Sequence, residues 1–520
     1  MNIIFFCQSK SIDVFYQLYL RMSKHLDLPK VGFYVANLRH YEGFLNKHPD
    51  FEDKFTVIKE WEIYEQAFSH KPDYQRINSY EKRIGSRYLW DPVVTDRRLY
   101  MGRKSSYMQD YSPYFSFKNT MAVLDIALHK IDSLFQTVQP DALFTIYTAT
   151  FGDCLGHMFA KSMGINSYDF RLSRLKNYIM LVDGVNEPPP HIEELYKSFS
   201  SDIPEELVKE AEECIHSIKT KDFMYEGVKP GTKKNLIQAE KLNSITSFYK
   251  RDFIKRMKIF TKNILQQRVA PYCYDMQMPG YIRPVIYSKV IKPLTIQIIK
   301  KRLGQLLIQS KDLHNCEYIL YPLHTEPELV LSQFARPYLN QIEVIRNIRL
   351  SMPIGMKLFV KEHPLMFGRR PYGYYKKILN IPDVHLMNFD ISSQDAILRA
   401  KMVFIIRGAI GLEAVIHKIP VVSIGKSMFD ILPSHMFRVC HNMYELEECI
   451  FDMLNNYKYD HNALIRYMAS VIQGSTPVNL ITELLGKSGR YTEKLDVGHT
   501  PFEKHPHLDI LSNYILQRIS

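Results

Sequence analysis

His363 stands with Lys361, Glu362 and Pro364 at the end of the apolar run in "LFVKEHP". Two charges and an imidazole at the tip of a buried strand are costly unless a partner or ligand uses them. An imidazole held by the following proline could donate a hydrogen bond to a phosphate and stabilise a departing nucleotide. A second group is "RGAIGLEA", which supplies Arg407, Gly408, Gly411 and Glu413. Glycines at a strand-to-helix turn let backbone N–H groups approach a phosphate, and the helix N-terminus adds partial positive charge. Arg407 offers a planar fork for the same anion, and Glu413, one turn into the helix, could accept hydrogen bonds from ribose hydroxyls. Ser392 and Ser393 open "SSQD", where a serine can donate to an anion or simply cap its helix. "LHTEPE" contributes His324, Thr325, Glu326 and Glu328. Asp153, in "TATFGDCLG", places a carboxylate in a Gly-rich turn, where it could take the proton of an attacking hydroxyl. Taken singly, these are also ordinary caps, ion pairs and exposed strand ends; their joint placement is what singles them out.

The elements that must position them follow a clear rhythm. Strands at 317–323, 357–362, 384–388, 402–407 and 420–425 alternate with helical patterns at 328–349, "YYKKIL", "SSQDAILRA" and "GLEAVIHK". Near-continuous apolar strands separated by helices predict a parallel sheet covered on both faces. In such sheets ligands bind beyond the carboxyl ends of the strands, and the polar and glycine residues above fall at that end. The first 185 residues predict a second α/β unit, with strands at 2–7, 31–36, 55–61, 141–147 and 178–184 and a helix at 116–135. The fold class expected is α/β, with two Rossmann-like units facing each other. The boundaries predicted are 1–185 for the N-terminal domain, 186–312 for a mainly helical basic connecting region, 313–475 for the C-terminal domain and 476–520 for a polar tail.

Composition narrows the function. The chain has 520 residues and a net charge of +12, and residues 229–311 hold 18 Lys and Arg against three acidic residues. That excess leaves the rest slightly acidic. Two readings of this segment stand: a solvated helix pair with one buried face, or a surface held against anionic lipid head groups or a phosphate-bearing substrate. No nucleic-acid motif accompanies the charge, so nucleic acid is not expected as a partner. The seven cysteines form no C-x-x-C pair, and no H-E-x-x-H or D-x-D occurs. Neither a disulfide framework nor metal-dependent chemistry is indicated, and no metal ligands are expected. "HNMYELEE" (441–448) has no metal-ligand spacing, and the second Lys-His-Pro, at 504–506, is assigned a structural or surface role. No apolar run reaches the length of a bilayer span, and Met1 leads directly into "NIIFFC". A cytoplasmic location is expected, with peripheral attachment to the inner face of the plasma membrane through 229–311 as its extension.

Three stretches, "YPLHTEPELVLS", "NQIEVIRNIRLSMPIGMKLFVKEHP" and "GLEAVIHKIPVVSIG", together resemble the bacterial capsule and surface-polysaccharide biosynthesis glycosyltransferases, a group that includes the transferases adding Kdo to capsule lipids. The resemblance covers about residues 317–430 and extends weakly through "QPDALFTIYTATFGDCLGHMFAKSMGI". It implies a GT-B fold, two Rossmann-like domains with the active site in the cleft between them. It further implies an inverting, metal-independent transfer from a nucleotide-sugar, CMP- or UDP-linked, to a glycan or lipid-linked acceptor, with no other cofactor. His363, Pro364 and Ser392 or Ser393 would then contact the donor phosphate, beside Lys361, Arg407, Gly408 and Gly411, and Glu413 the ribose. The acidic general base would come from the N-terminal domain as Asp153, with Glu326 and His324 as alternatives across the cleft. Many relatives carry hydroxyl residues where this chain has Arg407, Ala409 and Ile410, which points to a different nucleotide or a more anionic donor. Three other readings remain: a CDP-polyol phosphotransferase of the teichoic-acid kind, a nucleotide-sugar epimerase, and a non-catalytic scaffold of capsule assembly.

Overall fold

The computed structural model describes residues 1–86, 88–100, 115–184, 188–199, 202–220, 225–226, 261, 290–314, 316–326, 328, 330–487 and 500–519. Six strands build the first sheet: β1 (Ile3–Cys7), β2 (Val31–Val35), β3 (Thr56–Lys59), β4 (Ala142–Ile146), β5 (Asn166–Leu172) and β6 (Tyr178–Asp183). Six more build the second: β7 (Tyr318–Pro322), β8 (Lys357–Lys361), β9 (Val384–Leu386), β10 (Met402–Ile405), β11 (Val421–Ser423) and β12 (Phe437–Val439). A short β13 (Thr476–Pro477) returns to the first sheet.

The first sheet runs β13-β6-β5-β4-β1-β2-β3, and the second β12-β11-β10-β7-β8-β9. All pairings in the second sheet are parallel; in the first, only β5–β6 and β6–β13 are antiparallel. Each sheet therefore carries the Rossmann order, with its chain reversing direction between two central neighbours: β1 and β4 in one, β7 and β10 in the other. The expected fold class is borne out. Strands such as β1 (IIFFC) and β10 (MVFI) are buried along their whole length, which the covering helices on both faces require.

Local sequence explains most boundaries. The helix Phe117–Val138 starts where the Ser116 side chain accepts the Asn119 N–H, and ends at Gln139, in the left-handed region, just before Pro140. The stretch 328–349 was expected as one helical run. Instead Pro337 interrupts it, leaving a wide π-helical turn at Val330–Phe334, a 3₁₀ turn at Arg336–Tyr338 and a helix at Gln341–Leu350.

Two expectations about organisation need correcting. Residues 476–487 and 500–519 are no polar tail: β13 pairs with β6, and the helix Pro506–Ile519 lies on the helix Ser11–Met22, tied by Arg21 Nε to Asp509 at 2.7 Å. Leu508, Leu511 and Ile515 share a core with Phe5, Phe15 and Phe33, so apolar burial draws this segment into the N-terminal domain. In the second Lys-His-Pro, His505 packs beside His507, and their Nε2 atoms approach Glu483 at 3.3 and 3.2 Å. Of the connecting region, the helices Pro190–Ser198 and Glu205–Thr220 pack on His461–Gln473, while Lys292–Leu303 buries Ile299 and Leu303 in the C-terminal domain core. The expected lipid-facing segment 229–311 lies mostly outside the described residues. No described helix is long and apolar enough to cross a membrane.

Candidate active site

The reversal point of the second sheet opens a crevice between the ends of β7 and β10. His324 leaves β7 there and Arg407 leaves β10. The Arg407 N–H donates to His324 Nε2 at 3.4 Å, and His324 Nδ1 stands 3.7 Å from a Glu328 carboxylate oxygen. Gly408 follows at φ 139°, a backbone state that an L side chain rarely adopts, and caps the helix Ala409–Ile416. Gly411 has a different job. A Cβ there would sit 2.6 Å from Ile405 Cδ1, so this glycine lets the helix pack on β10.

His363 is partly buried beyond β8, and its Nδ1 accepts the Leu365 N–H at 3.2 Å. Burial pushes its imidazolium down to about 4, against the nearby Glu328. The ring is therefore neutral at pH 7, and with Nδ1 accepting, Nε2 carries the proton and is a donor. Lys361 points elsewhere: its Nζ donates to the Ile391 carbonyl at 2.7 Å, and burial brings the amine down to about 8. It thereby holds the loop that presents Ser392. The Ser392 Oγ accepts the Asp395 N–H at 3.0 Å and donates to that residue's carboxylate at 2.7 Å, as a helix cap does. Ser393 begins the six-residue helix Ser393–Leu398. Glu413 lies one turn into Ala409–Ile416, within electrostatic reach of Lys361.

Glu326 is buried in an ion cage. The fully buried Arg370 pairs with Glu326, at 3.3 Å, and with Glu362, while Gln341 also holds Glu326. Tyr375 donates to Glu362 at 2.8 Å, and Arg370 lies 4.9 Å over the Tyr374 ring. The cage braces the loops bearing His324 and His363.

The two domains meet over a cavity of about 210 Å³. From the N-terminal side it is lined by Tyr147, Thr148, Asp169, Arg171 and Arg174, and from the other by Glu328, Phe334, Arg407, Gly408 and Ser427. Phe334 is flanked by guanidinium groups from both domains, Arg407 at 3.8 Å and Arg171 at 5.5 Å from its ring centroid. Asp169, on β5, accepts from Arg171 Nε and Thr145 Oγ1, both at 2.8 Å, and from the Thr148 N–H at 3.3 Å. Tyr147, at the end of β4, is held at φ 56°, where its hydroxyl accepts the Leu172 N–H at 3.1 Å. Such strain in a bulky residue persists only where its surroundings fix it.

Asp153 was expected in a turn facing this cleft, but it lies in the first turn of the helix Phe151–Ser162, with no exposed surface. Thr150 Oγ1 donates to it at 2.8 Å and Gln8 Nε2 at 3.2 Å. Burial raises its carboxyl to about 8. Because the folded value exceeds the ordinary 3.8, the folded state holds the extra proton, and stability declines as pH rises from about 4 through about 8. Asp153→Asn is expected to remove that decline. Urea midpoints across this range would check it, and parallel curves for the two proteins would refute the assignment. The sequence reading missed Asp169, Arg171 and Phe334. The "YDFRL" run around the first two alternates apolar and charged residues, the pattern of a half-buried strand, and the sequence reading did not assign it.

Two largely parallel sheets with Rossmann strand order, and a cleft lined from both domains, define the GT-B class of architecture. Residues 223–433, less than half of the chain, match the family described as capsule polysaccharide biosynthesis protein. Over that stretch, which runs from the connecting region into the C-terminal domain, the chain is similar to the capsule polysaccharide biosynthesis proteins. No protein with a curated description matches. Among solved structures, the chain is similar to Thermosulfurimonas dismutans KpsC, beta Kdo 2,7 transferase, at 12% identity over 75% of this chain and 90% of that one, with a TM-score of 0.36. The beta Kdo 2,4 transferase of the same KpsC matches at 12% identity over 67% and 84%, with a TM-score of 0.35. The UDP-GlcNAc 2-epimerase of Methanocaldococcus jannaschii matches at 10% identity over 91% and 98%, with a TM-score of 0.24. At these scores none of the three bears on what this chain does.

Proposed function

We propose that the chain is an inverting, metal-independent glycosyltransferase of capsule or surface-polysaccharide biosynthesis. It moves a sugar from a nucleotide-sugar, CMP- or UDP-linked, to a glycan or lipid-linked acceptor. One observation carries the reading: a single cleft has the Asp169 carboxylate on one wall and the Arg407–Gly408 turn on the other. The family match over residues 223–433 supports it.

The donor phosphate rests at the start of Ala409–Ile416, beside Arg407 and the Nε2–H of His363, and the ribose reaches Glu413. Pro364 follows His363, and Lys361 shapes the Ser392 loop through the Ile391 carbonyl; Ser392 and Ser393 do not line the cavity. The acceptor enters from the N-terminal domain. Its hydroxyl oxygen attacks the anomeric carbon as Asp169 takes the proton, and the bond from that carbon to the phosphate oxygen breaks. The electron pair leaves with the nucleotide, whose growing charge meets Arg407, His363 and the helix N-terminus. Asp169 replaces Asp153 as the proposed base because it lines the cleft and Asp153 does not. A peripheral position on the cytoplasmic membrane face, through 229–311, completes the proposal.

Arg171, Arg174 and Arg407 around so small a cleft favour an anionic sugar; they equally suit a phosphopolyol, the second reading. Phosphodiester in the product would separate the two. The first test is thermal-shift binding of CMP-, CDP-, UDP-, GDP- and dTDP-linked compounds to the full chain. One nucleotide class is expected to stabilise it, by about 2.7 kcal/mol at a hundredfold excess over Kd, and the shift should vanish in Arg407→Met and His363→Ala. No shift with any compound would favour the scaffold.

A further inference from the structure

Away from the cleft, the structure gathers two thiols and a carboxylate that the sequence holds apart. Cys440 follows β12, and Cys449 lies in the helix Leu446–Asn455, whose N-cap is Glu445. The Sγ atoms of both cysteines and a Glu445 oxygen all lie within 4.8 Å of one another. Both cysteines are buried, at 0% and 1% exposure, and the partly exposed Glu445 closes the group toward solvent. The ligand spacing, C-x4-E-x3-C, matches no familiar metal motif. It works here because Glu445 and Cys449 are one helical turn apart, while the strand end delivers Cys440 from the other side.

We propose that Cys440, Glu445 and Cys449 bind one thiophilic divalent cation of the zinc class, with solvent as fourth ligand. Two sulfurs and one carboxylate oxygen select zinc over magnesium or calcium, which take oxygen ligands. Zinc–sulfur bonds of about 2.3 Å set tetrahedral sulfurs roughly 3.8 Å apart, so the group needs only a small contraction to close on the ion. Charge also balances. Two thiolates and a carboxylate exceed a divalent ion by one negative charge, and the Arg438 guanidinium lies beside Cys449 to offset it. The Cys440 N–H also donates to the Ser423 carbonyl at 2.7 Å. The ion would therefore clamp the edge strand and its helix to β11, whose chain continues to Ser427 in the cleft. Its role is structural, and it supplies no group to the transfer.

Titration of the fully reduced, full-length protein with Co²⁺ tests this directly. The expected result is thiolate-to-cobalt charge-transfer absorption saturating at one equivalent and displaced by one equivalent of Zn²⁺. Cys440→Ser and Cys449→Ser should each abolish it, Cys214→Ser should leave it intact, and Arg438→Met should weaken binding by about 10–100-fold. A separate readout guards against misfolded variants: wild-type Tm should rise with Zn²⁺ and fall back with EDTA. Absence of the absorption in reduced wild type overturns the proposal. So does its persistence in the Cys440→Ser/Cys449→Ser double variant, or formation of a Cys440–Cys449 disulfide by protein that binds no Co²⁺ when reduced.

Discussion

Asp169→Asn is expected to slow sugar transfer by about 10²–10⁴-fold, the usual worth of a positioned general base, while nucleotide binding stays near wild type and Tm falls, because the nearly buried Arg171 loses its ionic partner. Asparagine keeps the size of the side chain and can still accept from Thr145 Oγ1 or Arg171 Nε, which meet Asp169 at 2.8 Å. What it loses is the capacity to take a proton. The informative comparison is Asp153→Asn, which touches a buried carboxyl that does not line the cleft and should retain transfer close to wild type. Both would be measured as kcat/KM with the donor identified by thermal shift. If Asp169→Asn stays within tenfold of wild type and Asp153→Asn does not, the assignment of the base is reversed.

Arg370→Met is expected to be the most destabilising single change at the site, costing about 3–5 kcal/mol. The guanidinium is fully buried and serves two carboxylates, Glu362 and Glu326, so its loss strands both in a medium of low dielectric. Removing charges from both sides behaves differently. Arg370→Met combined with Glu362→Gln and Glu326→Gln should recover much of the loss, since a buried ion cluster and a neutral one of similar volume differ far less than a broken cluster does. Urea unfolding of the three proteins gives the answer. A cost below about 1 kcal/mol for Arg370→Met alone would mean that packing on Tyr374, not the ion cage, holds these loops.

What the sequence revealed depended on how apolar each element is. β1, β4, β7, β8 and β10 were legible because buried parallel strands read as unbroken apolar runs, and the residues at their carboxyl ends followed from that. β5 was not assigned. Its "YDFRL" mixes Asp169 and Arg171 with apolar residues, and their charges are tolerated only because Thr145, the Thr148 N–H and the cleft receive them. The same mixture hid the residue now proposed as the base. Asp153 was visible because glycines flank it, yet those glycines serve packing: a Cβ at Gly152 would lie 2.4 Å from the Tyr34 ring, and one at Gly156 2.5 Å from Phe6. The return of residues 476–487 and 500–519 to the first domain left little trace, because the proline and histidines of "KHPH" resemble a loop until Glu483 is seen between His505 and His507.

That return has a consequence for synthesis on the ribosome. Domains usually fold in the order in which they emerge, but here the order is inverted. The C-terminal domain has all its strands once residue 439 is out, and its helix His461–Gln473 soon after. The sheet begun by Ile3–Cys7 still lacks β13 and the helix that covers Ser11–Met22, so Phe5, Phe15 and Phe33 wait with an incomplete lid. The earliest-made domain is the last to finish, and a nascent chain stalled near residue 475 would present that open apolar face to chaperones.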